Sequence, residues 1–354
     1  MEIESIDNNF SIRADIKESD IVWLNVRKLP FELHGIQYDE KNGCYTRMPQ
    51  SIAAKISEGV ELLNCNTAGG RVRFCTDSRF IGIHAVMDNA IPMSHMPLAG
   101  QSGFDLYRRK RDERTEQFYH TFIPPVGIQK GYSSFFNTDG TLADYTIYFP
   151  LYDGVKELYI AIKKDAMILA PTPYSEKSPI VYYGSSITQG GCASHPGNSY
   201  QAMISRKLDR DYINLGFSGN CKGENEMIQY LANLKMSIFV CDYDHNSPDA
   251  EHLKKTHLQI YRGIRNKQSD LPIIFVSAPT ILLEPDKYEI RREIIRATYQ
   301  TALAEGDRNV YFIDGAELFE GDNWDCCTVD GVHPNDLGFY RIAKRIEKEI
   351  ILVK

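Results

Sequence analysis

The chain has 354 residues, a formal net charge of −7, and 43% hydrophobic and 25% charged residues. That length exceeds one ordinary core and points to two domains of a globular protein. The negative charge argues against a nucleic-acid surface, the basic run Arg108-Arg109-Lys110-Arg111 is short, and no stretch has the roughly 18–20 apolar residues of a membrane span.

In chain order, Met1–Asp20 mixes acidic and polar residues and lacks the apolar stretch of a signal peptide. The eight cysteines (Cys44, Cys65, Cys75, Cys192, Cys221, Cys241, Cys326 and Cys327) are scattered without C-x-x-C spacing. Both features set the expectation of a reduced, cytoplasmic protein with no structural zinc and no cofactor. From about residue 20 to 165 the pattern is that of strands. Val72-Arg73-Phe74 and Ile81-Gly82-Ile83 alternate around a Thr76-Asp77-Ser78 turn, and Tyr145–Phe149 and Leu158–Ile162 continue the pattern. Asp139-Gly140 and Asp153-Gly154 are hairpin-type turn signals, and one short helix is predicted around Ser51–Ser57. These features predict a jelly-roll-like β-sandwich over residues 1–170.

Pro171, Pro173 and Pro179 then mark a linker, set at residues 171–178. Over 179–354 short apolar runs (Ile180–Tyr183, Tyr212–Leu215, Ser237–Cys241, Ile273–Ser277, Val310–Ile313) alternate with amphipathic stretches. Those stretches lie near Ser199–Leu208, Glu224–Leu234, His252–Arg265, Tyr288–Ala304 and Leu337–Ile351. This is the β-α-β-α signature of a five-stranded parallel sheet covered on both faces, in a three-layer α/β sandwich. Such sheets place ligands beyond the carboxyl ends of their strands.

Two segments carry the chemistry. Gly184-Ser185-Ser186-Ile187-Thr188 follows the first parallel strand, and Asp330-Gly331-Val332-His333-Pro334 follows the last. A serine on a strand-to-helix turn is exposed, although its usual task there is to cap the helix. Asp and His three apart on one loop supply a base and the acid that fixes its tautomer. Gly219 follows the second strand and Asn246 the third, so every candidate falls on the functional edge. Asp242, Asp244 and His245 offer metal-ligand chemistry, but three ligand types crowded on one loop rarely converge on one ion.

These blocks, in this order, resemble the SGNH (GDSL-type) hydrolases. Gly184-Ser185-Ser186-Ile187-Thr188 is similar to the family's G-D-S-x-T, with Ser185 in place of the aspartate. Asn214–Asn220 resembles the second block and Asp330–His333 the D-x-x-H pair. Asp242–Asn246 departs from the third block, because Asn246 follows His245 and precedes Ser247. The resemblance covers roughly residues 178–354 and implies a flavodoxin-like fold. It also implies Ser186 as nucleophile, His333 as base, Asp330 as orienting acid, and Gly219 and Asn246 as oxyanion donors. Gly103-Phe104-Asp105-Leu106-Tyr107 resembles the G-x-D-L-Y segment of the sandwich domain that precedes one subgroup of these esterases.

Two-domain enzymes of that plan imply deacetylation of carbohydrates, a small-molecule or oligosaccharide ester as partner, and no nucleic acid or membrane. The sequence leaves the oligomeric state open. Lipase, lysophospholipase or thioesterase activity on other acyl groups is the alternative enzyme reading. A carbohydrate-binding protein with a vestigial catalytic half is the alternative from another class. Ligand pockets prefer domain interfaces, so Met93–Tyr107 is expected beside the catalytic edge, with His95, Gln101 and Asp105 contacting substrate. His195 and Trp324 are expected to line the same pocket from the second half.

Overall fold

The computed structural model describes residues 18–88, 91–111, 115–279 and 284–353, with Ile16 and Glu113. The expectation made for Met1–Asp20 falls largely on Met1–Asp15, which lie outside the described residues. The strands of the first half are β1 (Ile21–Asn25), β2 (Glu32–His34), β3 (Gln37–Asp39), β4 (Cys44–Thr46), β5 (Arg71–Thr76) and β6 (Phe80–Met87). They continue with β7 (Phe104–Lys110), β8 (Gln117–Phe122), β9 (Gly131–Asn137), β10 (Ala143–Tyr148), β11 (Val155–Lys163) and β12 (Ile168–Leu169). Short helices α1 (Gln50–Ile56), α2 (Glu58–Leu63) and α3 (Leu98–Ser102) interrupt them.

The strands form an antiparallel sandwich. One sheet has the order β1-β11-β6-β9, the other β12-β5-β10-β7-β8 with β2 paired to β5. The predicted hairpins at Asp139-Gly140 and Asp153-Gly154 do not form. Those turns, and the one at Thr76–Ser78, carry the chain from one sheet to the other. Turn residues fix a reversal of the chain; they do not choose the sheet that the next strand joins.

The second sheet is buried on both faces. Val72, Phe74, Leu106, Tyr145 and Ile147 point into the sandwich core. The alternate residues of the same strands are Arg71, Arg73, Asp105, Tyr107, Arg109, Asp144 and Tyr148, all buried against the second half of the chain. Arg71 pairs with Asp211, Arg109 bridges Asp144 (3.3 Å) and Asp209 (2.9 Å), and Arg73 donates to the Thr172 carbonyl (3.0 Å). The period of two therefore separates an apolar core from a polar seam between the two halves.

The second half is a parallel sheet of β13 (Glu176–Gly184), β14 (Arg210–Gly216), β15 (Ile238–Asp242), β16 (Ile273–Val276) and β17 (Val310–Ile313), in the order β14-β13-β15-β16-β17. Strand β13 begins within the proline-rich segment and has irregular register before Ile180. The helices are α4 (Ser186–Gln189), α5 (Tyr200–Leu208), α6 (Asn225–Asn233), α7 (Ala250–Arg265), α8 (Pro285–Ala304) and α9 (Asp336–Leu352). Tyr182, Val240 and Ile274 face α5 and α9, while Val181, Phe239 and Phe275 face α6, α7 and α8. Among the described residues no helix is long and apolar enough to cross a membrane.

Asp105 is fully buried in the seam, accepting from Thr121 Oγ1 (2.7 Å) and the Gly197 N–H (2.5 Å) and pairing with His195 Nδ1 (2.6 Å). Replacing it by alanine strands those partners. Asp105→Ala is expected to lower the unfolding free energy by about 3–5 kcal/mol, read as the urea midpoint; an unchanged midpoint would refute this role of Asp105 in the seam. Asp153 accepts from Ser102 Oγ. Burial pushes its carboxyl up to about 6, against that hydrogen bond. Its folded pKa lies above the unfolded value, so its contribution is present below pH about 4 and lost as pH rises through about 6. Asp153→Asn should therefore stabilise the protein at pH 7–8 by about 1–2 kcal/mol and flatten the melting temperature between pH 4 and 6. A wild-type slope retained in the variant would exclude this carboxyl.

Candidate active site

The turn after β13 is built by three small residues. A Cβ on Gly184 would lie 2.1 Å from Thr188 Oγ1 and 2.2 Å from the Asp242 carbonyl, so only glycine lets the chain turn there. Ser185 is the N-cap, its hydroxyl accepting from the Ile187 N–H at 3.2 Å. Aspartate caps equally well, which explains why serine serves at this position. With capping done by Ser185, the Ser186 hydroxyl is free to point out of the turn.

Ser186 Oγ lies 2.9 Å from His333 Nε2, and His333 Nδ1 lies 2.7 Å from Asp330 Oδ2. Asp330 Oδ1 accepts from the backbone N–H groups of Val332 (3.0 Å) and His333 (2.8 Å). Burial alone would raise the Asp330 carboxyl, but the His333 amide and ring and the Val332 amide outweigh it and hold it at about 2. A permanent carboxylate on Nδ1 leaves the Nε2 lone pair directed at Ser186.

Gly219 has φ +70°, and a Cβ there would meet open space. Its neighbours are tied down: the Ser218 N–H donates to Gln189 Oε1 (3.0 Å) and the Asn220 N–H to the Phe217 carbonyl (2.8 Å). Asn246 donates one amide hydrogen to that carbonyl at 2.9 Å, which places its amide beside the Gly219 loop. The Ser186 N–H sits in the first turn of α4, where amides have no acceptor within the helix. Asp242, Asp244 and His245 do not form a metal-binding cluster among the described residues. Thr188 Oγ1 donates to Asp242, the Ala278 N–H donates to Asp244, and burial pushes the Asp244 carboxyl up to about 6.

The first half contributes more than the sequence indicates. Arg47, which no motif marks, is buried behind the Gly219 loop. It donates to the carbonyls of Gly216 and Leu63 and lies over the Phe217 ring at 4.2 Å. Among the described residues it has no carboxylate partner, and burial lowers its pKa to about 10. Tyr152 donates to the Ser186 carbonyl at 3.2 Å. His95 lies beside His333, their ring centroids 5.5 Å apart.

Gln101 and Asp105 are buried and hydrogen-bonded within the protein. The Gln101 amide accepts from the Met93 N–H (3.1 Å) and donates to the Ile91 carbonyl (2.8 Å), holding the loop that carries His95. Asp105 is consumed by the seam. His195, its partner there, packs its ring 5.2 Å from Phe118. Trp324 stands 39% exposed on a short turn at Trp324–Cys326. Polar residues near a catalytic loop satisfy backbone as readily as substrate, and composition alone does not separate the two uses.

Residues 177–351 match the model of the GDSL-like Lipase/Acylhydrolase family, and residues 21–168 match GxDLY, the N-terminus of SGNH-hydro-type esterases. No curated protein matches the chain. Among solved structures, a Bacteroides ovatus protein designated a GDSL-like lipase is 28% identical, with a TM-score of 0.84 over 94% of this chain and 98% of that one. The salicylyl-acyltransferase SsfX3 of a tetracycline biosynthetic pathway is 16% identical, with a TM-score of 0.76 over 95% and 99%. A family two carbohydrate esterase from Clostridium thermocellum, in complex with cellohexaose, is 13% identical, with a TM-score of 0.60 over 93% and 98%. The two halves thus match in the order that the motifs give them, and the chain belongs to the GDSL-like (SGNH) lipase/acylhydrolases with a GxDLY N-terminal domain, as an ester-hydrolysing enzyme.

Proposed function

We propose that the enzyme is a serine esterase using Ser186, His333 and Asp330, and that its substrates are short acyl, chiefly acetyl, esters of carbohydrates. The observation that carries the catalytic part is the hydrogen-bond chain from Ser186 Oγ through His333 to Asp330, at 2.9 and 2.7 Å. Ser186 Oγ attacks the ester carbonyl as Nε2 takes its proton. The N–H groups of Ser186 and Gly219 and the amide of Asn246 receive the oxyanion. His333 then protonates the departing sugar hydroxyl. Water, deprotonated by the same nitrogen, splits the acyl-enzyme and releases acetate.

The substrate class rests on two supports. The His95 ring from the sandwich stands beside the base, so a leaving group bulkier than a simple alcohol meets the first half of the chain. The fold also spans two carbohydrate-active relatives end to end: the cellohexaose complex above and an acetyl xylan esterase from Butyrivibrio proteoclasticus with a TM-score of 0.53. Acetate release from a panel of acetylated oligosaccharides, set against long-chain acyl esters and thioesters, tests it. A clear preference for long acyl chains would replace the carbohydrate reading.

Ser186→Ala is expected to lower kcat by at least about a thousandfold with the fold intact, and Asp330→Asn to depress it strongly through the wrong tautomer. Asn246→Ala should lower kcat more than it raises KM. Asp330 stays ionised down to pH about 2, so loss of activity in mild acid would report protonation of the general base rather than of this carboxylate. Activity should therefore rise with pH from the acid side as the base loses its proton; a flat profile from pH 5 to 8 would remove His333 from the reaction. His95→Ala should impair turnover of an acetylated oligosaccharide more than that of a small aryl acetate. Equal losses would place His95 outside sugar recognition.

A further inference from the structure

Three donor side chains converge beside Ser186. One nitrogen each of His95 and His333 and the sulfur of Cys192 lie within 4.8 Å of one another. His95 comes from the sandwich, and Cys192 and His333 from two loops of the parallel half. Packing fixes all three. The Gly191 N–H donates to the Ser186 carbonyl at 2.8 Å, and a Cβ on Gly191 would lie 3.2 Å from His333 Cδ2. On the other side, a Cβ on Gly100 would stand 2.2 Å from the Ala193 carbonyl, so α3 lies directly on the Cys192 loop. Gln101 ties Met93 and Ile91 into the same arrangement. Cys192 is 4% exposed and has φ +73°, an unusual conformation for a non-glycine residue. The esterase reaction uses neither its thiol nor that conformation.

We propose that His95, Cys192 and His333 form a binding site for a thiophilic divalent cation of the zinc type, and that its occupancy switches the esterase off. The donor set selects the ion. Two imidazoles and one thiolate suit zinc or cadmium, whereas magnesium and calcium require oxygen ligands. Nδ1 of His333 is held by Asp330, so Nε2 is the ligating atom. The carboxylate behind the ring is the partner that metal-bound histidines ordinarily have. In a tetrahedral zinc site, donors stand about 3.3–3.6 Å apart, so the three atoms close by on the order of 1 Å through side-chain rotation. On binding, the cation takes one lone pair from each imidazole and from sulfur, the thiol proton leaves to solvent, and the fourth position faces solvent. The Nε2 lone pair is the one that accepts the Ser186 proton. Ligation and general-base action therefore exclude each other. The cation also links the two halves of the chain across the substrate site.

The site and the switch are tested separately, because only the switch rests on His333 acting as base. The full chain is titrated with zinc chloride while acetyl ester turnover is followed. Inhibition reversed by EDTA is expected, with the half-inhibitory concentration raised by about tenfold or more in Cys192→Ala. That variant should keep its metal-free kcat/KM within about twofold, and Cys192→Ser serves if the alanine variant folds poorly. Binding is read without turnover in the Ser186→Ala background, from the ultraviolet thiolate-to-metal band that cadmium produces. The band should disappear with Cys192→Ala and weaken with His95→Ala. A band that survives Cys192→Ala belongs to another thiol, such as exposed Cys326, and overturns the site. A Cys192-dependent band without loss of turnover overturns the switch and the role of His333 together.

Discussion

Burying a charged sheet face demands that every charge meet a partner, and the catalytic edge depends on how this chain meets that demand. On the second sheet of the sandwich, Arg71, Arg109, Asp105 and Asp144 all lie out of water. An unpaired charge at such depth costs several kcal/mol, and a well-paired one roughly breaks even. The seam therefore adds little net stability and a great deal of orientation. Arg71 finds Asp211 at the start of β14, Arg109 finds Asp209 just before it, and Asp105 finds His195 and Gly197 after the nucleophile turn. One relative placement of the two halves satisfies all of them. That placement sets α3 on the Cys192 loop and brings His95 to His333.

The same logic governs the polarity behind the nucleophile. Asp242 and Asp244 follow one another closely at the end of β15, and burial raises both carboxyls, with Asp244 adding to the rise of Asp242. Both act as hydrogen-bond scaffold, Asp242 accepting from Thr188 Oγ1 and Asp244 from the Ala278 N–H. Arg47, buried behind the Gly219 loop, directs its charge at backbone carbonyls rather than at a carboxylate.

The parallel half was legible because its signals are local. Apolar runs of strand length, helical periodicity between them, and short blocks at the carboxyl ends of the strands read directly as a covered sheet with a reactive edge. Ser186, His333 and Asp330 come together because that topology brings every strand end to one side. The sandwich was legible only as strands. Asp139-Gly140 and Asp153-Gly154 announce reversals, but pairing over long sequence separations decides that β9 and β10 lie in different sheets. Asp105, Gln101 and Arg47 show the same limit at the level of single side chains. A buried polar group is assigned by the partner it meets, and here those partners are His195, the Ile91 carbonyl and the Gly216 carbonyl. Cys192 was invisible for the same reason, one thiol among scattered thiols until the fold sets it beside two imidazoles.

The two halves on either side of the proline-rich segment share a core in space. One apolar cluster contains Ala68, Met96, Tyr107 and Tyr148 from the first half together with Tyr182, Tyr200, Tyr212 and Phe339 from the second. Arg206 lies over the Tyr107 ring at 4.1 Å, within that shared layer. The parallel half taken alone would expose part of this cluster and leave Asp211 and His195 without their partners. Domains whose interface carries both apolar core and paired charge do not behave as modules joined by a tether. In the G-x-D-L-Y segment, Leu106 belongs to the sandwich core while Asp105 and Tyr107 belong to the seam. The motif is therefore a register mark: shifting β7 by one residue would turn the leucine outward and pull the aspartate from His195. The sandwich and the parallel sheet are thus coupled through the alternation of one strand.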